Sequence, residues 1–153
     1  MPDLAPGGQA YGRDFPPTGF DLDWTSQLNI SSTSYASGTP SVGVNVTAPT
    51  SGRVLVALTC GTRNNSANTD RAIVTYRVLE DSSEGAVVTA ESAYRGVTSP
   101  GIGSEEYRYV GNFALEEDLT PGRSYYFQVR HRSVSGSGTV DVSARSIAVI
   151  PVP

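Results

Sequence analysis

A chain of 153 residues with Gly 16, Pro 10 and 38% hydrophobic residues has the size of one ordinary domain. Such a length buries roughly 70% of its unfolded surface without help from a disulfide or a metal. A formal net charge of -4 excludes a non-specific nucleic-acid binder and a basic membrane-surface protein, and a single cysteine and a single histidine exclude both an internal disulfide and a Cys/His metal cluster.

Residues 1–19 read as an extended arm. Pro2, Pro6, Gly7, Gly8, Gly12, Pro16, Pro17 and Gly19 oppose regular structure, while Leu4, Tyr11 and Phe15 are isolated apolar side chains. Ordering such an arm costs about 1–2 kcal/mol per residue. Burying Leu4, Tyr11, Phe15 and the adjacent Phe20 returns about 1.5–3 kcal/mol each, which falls short. The arm is therefore expected to dock on a neighbouring subunit or a larger assembly. Met1-Pro2-Asp3-Leu4 carries neither a basic start nor an apolar run, and no stretch reaches the ~20 apolar residues of a membrane span. Cytoplasmic synthesis without membrane insertion is the expectation.

Residues 20–153 read as one β-sandwich. Phe20-Asp21-Leu22-Asp23-Trp24 alternates apolar and acidic residues and opens a first strand, with Trp24 as a core or interface anchor. Leu28, Ile30 and Tyr35 space out a Ser/Thr-rich strand and loop. Residues 42–46 alternate, residues 48–52 turn, and residues 53–60 are apolar on both faces. That last run marks a central strand packed on both sides or buried in a subunit contact, and the pair reads as a hairpin. Cys60 within it is expected to be a small buried hydrophobe.

Residues 62–70 form the most polar run and are expected to be an exposed strand-tip loop. Its Arg63, Asn64, Asn65, Asn68 and Asp70 offer amides, a guanidinium and a carboxylate suited to a host surface or glycan. Strands follow over residues 72–79 and 86–90, then a long surface loop over 94–104. Tyr107, Tyr109, Gly111, Phe113 and Leu115 alternate as another strand.

Pro121-Gly122 is a turn, and the strand after it has two faces. Tyr125, Phe127, Val129 and His131 are predicted to face the core. Tyr126, Gln128, Arg130 and Arg132 fall on the other side, where with Trp24 they are candidates for a subunit interface. Residues 139–152 read as a bulged or two-part strand. The count is about eight to ten strands with no convincing helix, the pattern of a sandwich or barrel. No nucleophile has a base beside it, no acidic group has the spacing of a calcium loop, and no phosphate-binding glycine loop follows a strand. The expectation is a protein that is not an enzyme, with no catalytic residue, no metal and no cofactor.

Leu119-Thr120-Pro121-Gly122-Arg123-Ser124-Tyr125 resembles the corner of fibronectin type III domains, which makes a fibronectin/immunoglobulin-like sandwich the alternative fold. A longer match lies over residues 48–56, 119–122 and 143–151. Together with Asp14-Phe15-Pro16-Pro17 in the arm, it resembles small virion structural proteins of tailed phages of actinobacteria. The resemblance implies an antiparallel jelly roll like that of tumour-necrosis-factor-like trimers. It implies a homotrimer on the virion surface, docked through residues 1–19 onto major capsid or tail proteins. Capsid decoration or a head fibre is the role it suggests first. A minor tail protein touching the host cell wall, or a carbohydrate-binding module, is the alternative. All 11 basic residues are arginine, which agrees with a GC-rich host.

Overall fold

The computed structural model describes residues 16–65, 70–99 and 106–152. The expectations for Leu4, Tyr11, Phe15 and Asn68 lie outside the described residues.

Ten strands appear among the described residues: β1 (Gly19–Asp23), β2 (Gln27–Ile30), β3 (Gly43–Thr47), β4 (Arg53–Asn64), β5 (Ala72–Glu80), β6 (Val87–Thr89), β7 (Val97–Thr98), β8 (Arg108–Glu116), β9 (Ser124–Ser133) and β10 (Val140–Val152). A 3-10 turn, Ala93–Arg95, is capped by the Ser92 side chain. Sheet A runs β1-β10-β4-β8, with β2 also on β10; sheet B runs β3-β9-β5-β6, with β7 also on β5. Every pairing is antiparallel. Successive long strands alternate between the sheets, which is the double Greek-key order of a jelly roll. The expected fold class is the observed one.

The core is aliphatic. Val54, Val56, Leu58 and Cys60 of β4 and Val140, Val142, Ile147 and Val149 of β10 face Val74, Tyr76 and Val78 of β5 and Phe127 and Val129 of β9. The predicted inward set of β9 is borne out, since Tyr125, Phe127, Val129 and His131 are all buried. Cys60 is buried too, and burial pushes its thiol up to about 12, so it stays protonated and inert.

Two expectations require correction. Residues 42–60 are not a hairpin, because β3 pairs with β9 in sheet B while β4 pairs with β8 and β10 in sheet A. The turn between them docks on the Pro-Gly turn instead. Ala48 donates to the Arg123 carbonyl, Leu119 to that of Gly52, and Gly122 to that of Ala48. Gly52 has φ +69, and a Cβ there would lie 2.5 Å from the Leu119 carbonyl oxygen, so only glycine lets the turns meet. The long loop after residue 94 is also partly built: β7 adds to β5, and Val97 and Ser99 are buried.

One buried side chain joins Asp23, Ser37 and Pro40. The β10 strand bulges between Ser143 and Ser146, with Ala144 at φ 46, and sends Arg145 into the interior. Arg145 is fully buried. Its guanidinium pairs with Asp23 Oδ2 at 2.5 Å and donates to the Ser37 carbonyl at 2.8 Å and the Pro40 carbonyl at 2.9 Å. Gly38, at φ +78, leaves no Cβ in its way. Replacing Arg145 by Met is expected to lower stability by about 3 kcal/mol, because Asp23 loses its countercharge and both carbonyls lose a donor. Urea unfolding would register this as a lower midpoint; an unchanged midpoint would mean Arg145 holds nothing.

Candidate functional site: the two outer faces of the sandwich

Sheet B's outer face is polar and occupied by its own chain. Gln128 is buried, accepting from Arg77 Nε at 2.9 Å and donating to Ser41 Oγ at 2.9 Å. Arg130 reaches Glu91 at 2.9 Å and the Tyr35 carbonyl at 2.7 Å, and Arg132 lies 5.1 Å over the Tyr35 ring. Tyr126 is half-buried beside Gly43. The four residues predicted on this side of β9 do share it, and the segment around Ser41 and Tyr35 together with Glu91 covers them.

Sheet A's outer face is different. Register puts Phe20 opposite Ala148, Ala148 opposite Ala57, and Ala57 opposite Phe113, a row of apolar side chains across four strands. The next row is Ile150, Leu55 and Leu115; another holds Leu22, Ser146, Thr59 and Gly111. Phe20 is 63% exposed, Phe113 69% and Tyr109 70%. Trp24, just past β1 and 70% exposed, continues the parity of Phe20 and Leu22. Trp24 is thus no core residue, and Phe20 belongs to this face.

Both edge strands are turned apolar side out because their polar residues have partners inside. On β1, Asp21 Oδ2 accepts from the Gly43 N–H at 2.8 Å and Asp23 holds Arg145. On β8, Asn112 donates to the Gly96 carbonyl at 3.1 Å. Glu116 accepts from the Tyr76 hydroxyl at 2.6 Å and pairs with Arg95 at 3.3 Å. Burial, then Glu116, drives the Tyr76 hydroxyl far above its usual range, so it remains a donor.

The polar run 62–70 is not the free loop its composition suggests. Arg63 and Asn64 belong to β4, and Asn64 and Asp70 are buried. Arg63 pairs with buried Asp141 at 2.7 Å and lies 4.8 Å over the Tyr107 ring. Asn65 is exposed, though its amide donates to Asp141 at 2.8 Å and to Asn29 at 3.1 Å. Burial alone would raise the Asp70 carboxyl, but donors from Ser133, Ser135 and Arg71 outweigh it and hold it well below the usual range. Asp70 thereby ties this run to the β9–β10 turn. Among the described residues of this run Asn65 is exposed and Arg63 is half-buried.

No protein-family model matches the chain, and no curated protein matches it. Among solved structures it is similar to a chain of the infectious bursal disease virus Gt strain, with TM-score 0.56 and 12% identity over 89% of this chain and 33% of that one. A chain of the Gx strain gives TM-score 0.52 and 11% identity over 90% of this chain and 33% of that one. Weaker is the likeness to the CBM22-1–GH10 modules of Clostridium thermocellum xylanase 10B, complexed with xylohexaose, at TM-score 0.42 and 11% identity over 88% of this chain and 28% of that one. The chain spans about a third of the length of the viral chains it matches. At these identities what is shared is the fold. It is a jelly roll.

His131 gives this architecture an acid limit. It is buried on β9, its Nδ1 is unpartnered, and burial, then Arg145 and Arg130, press it down to about 4. An unfolded histidine titrates near ~6.5, so between those values only the unfolded chain takes the proton. Stability is therefore expected to be unaffected by this group above pH ~6.5, and to fall by up to about 1.4 kcal/mol per unit as pH drops toward 4. Urea midpoints measured across that range, with and without His131→Asn, check this; equal slopes in both proteins would refute it.

Proposed function

We propose that the chain is a non-enzymatic structural protein of a virion. In its fuller form it is a capsid decoration or head-fibre protein of an actinobacterial tailed phage, trimeric and docked on capsid or tail proteins through residues 1–19. The observation that carries the reading is the outer face of sheet A. Apolar side chains span it from Phe20 on one edge to Phe113 on the other, while the inward polar groups beneath are matched. A subunit made for assembly has use for such a face. Contiguous apolar surface of this extent on a free-standing protein is an association site. The fold-level likeness to chains of a virus supports the same class.

A second reading has one observation in its favour. Tyr109, Phe113 and Trp24 are exposed aromatics that could stack on sugar rings, as a carbohydrate-binding module or a host-contacting tail protein would require. Thr59 and Ser146, in the row between those of Phe113 and Tyr109, are hydroxyls that could orient a sugar, but they bond each other at 2.6 Å. Quantitative mass spectrometry of purified particles separates the readings. A copy number in fixed proportion to the capsid subunit is expected. Absence from particles, together with cell-wall glycan binding by the isolated protein, would replace the first reading with the second.

A further inference from the structure

We infer that the outer face of sheet A is covered by a second copy of this chain, packed through β8 and the trough beside it. The inference rests on the assembly reading above and names its partner.

Three observations select that occupant. The first is relief. Large side chains stand at the two edges of the face, Phe20 and Trp24 by β1 and Tyr109 and Phe113 on β8. Between them lie small ones: Ala148, Ala57, Thr59, Ser146 and Gly111. A ridge of aromatics beside a trough of small residues is complementary to itself, so Phe113 of one copy fits over Ala57 and Ala148 of the next.

The second is charge. The rows from Phe20 to Phe113 and from Ile150 to Leu115 contain no ionisable residue. A partner surface must then be uncharged, and this chain supplies one in its own face. An identical uncharged face adds no like-charge repulsion at the centre.

The third is area. Aromatic side chains bury about 150–250 Å² each, so four that are about two-thirds exposed present on the order of 500 Å². With Leu115 at 47% and Ile150 at 38% exposure, and the trough between, the face approaches the ~800 Å² per partner of a standard interface. That figure is about a tenth of the 7784 Å² surface of the described residues.

The test uses the full chain and its one tryptophan. Light scattering behind size exclusion is expected to give a mass that is a multiple of 16.1 kDa. Dilution should shift Trp24 emission to the red and open it to acrylamide. Phe113→Glu should reduce the mass to one copy with the circular dichroism spectrum kept, because Phe113 is exposed in the single chain. Ala57→Arg, which fills the trough instead of removing the ridge, should do the same. A wild-type monomer at ~100 μM overturns the inference, as does a multimer indifferent to both substitutions. A monomer whose Trp24 is already shielded from acrylamide also overturns it, by assigning the cover to the chain's own residues. Failure of the wider reading looks different. A multimer dispersed by Phe113→Glu but absent from particles keeps the interface and defeats the virion role. Particles that incorporate the Phe113→Glu protein normally, one copy at a time, defeat the interface and keep the role.

Discussion

The ion pair between Arg145 and Asp23 decides which way β1 faces. A carboxylate turned inward without a partner would be costly to bury, and β1 turns two inward, Asp21 and Asp23. Each is met: Asp21 by the Gly43 N–H and Asp23 by a guanidinium that the β10 bulge delivers from the opposite direction. Hydrogen bonds from Thr25 and the charge of Arg145 outweigh the effect of burial and lower the Asp23 carboxyl, so it stays ionised and paired. Because side chains alternate along a strand, fixing two acids inward fixes Phe20 and Leu22 outward. The same logic runs on β8, where Asn112 and Glu116 find Gly96, Tyr76 and Arg95 inside, and Tyr109, Phe113 and Leu115 are left outside. The exposed apolar face is a consequence of satisfied polar groups beneath it.

That inversion is also where the sequence is hardest to read. Period-two alternation predicts strands at β1, β3, β5, β8 and β9, and strands are there. It predicts orientation on β9, where Tyr125, Phe127, Val129 and His131 are indeed interior, and the Thr120 N–H donates to the Tyr125 hydroxyl to close the corner. The usual assumption that the apolar side is the inner side fails on β1 and β8, because their polar residues answer to Arg145, Tyr76 and Arg95, all distant in sequence. One legible signal existed: β4 is apolar on both faces, which in a two-layer sandwich leaves Leu55 and Ala57 needing a cover from elsewhere. The polar run 62–70 misleads for a similar reason. Asn64 and Asp70 have the composition of a loop tip but are consumed inside, Asn64 on the Asp70 carbonyl and Asp70 on Ser133. The hairpin misreading of β3 and β4 came from a turn whose residues bond the Pro-Gly turn rather than each other's strands.

The two outer faces divide the work of the sandwich. Sheet B carries its arginines outward, where Tyr35, Glu91 and Gln128 engage them and Ser41 accepts from Gln128, so that face closes on the chain itself. Sheet A closes on nothing within the described residues. A guanidinium face and an apolar face make opposite demands on a partner, one for matched acceptors and one for exclusion of water. Among the described residues only the second demand is still open, and it lies on sheet A, not on the arginine side of β9.

An open apolar face on an edge strand is also a hazard, since among the described residues β8 pairs on one side only, beside exposed aromatics. Charge at its ends limits what can add there. Arg108 is exposed at one end, and Glu117 and Asp118 are exposed just past the other. A strand laid edge to edge in parallel would set these acids beside their own copies, while an antiparallel one would bring Arg108 near them. Charges at the ends and none in the rows thus disfavour one edge pairing without penalising contact through the face. Together with a net charge of -4, which keeps loose copies apart, they favour association by one geometry over indiscriminate aggregation.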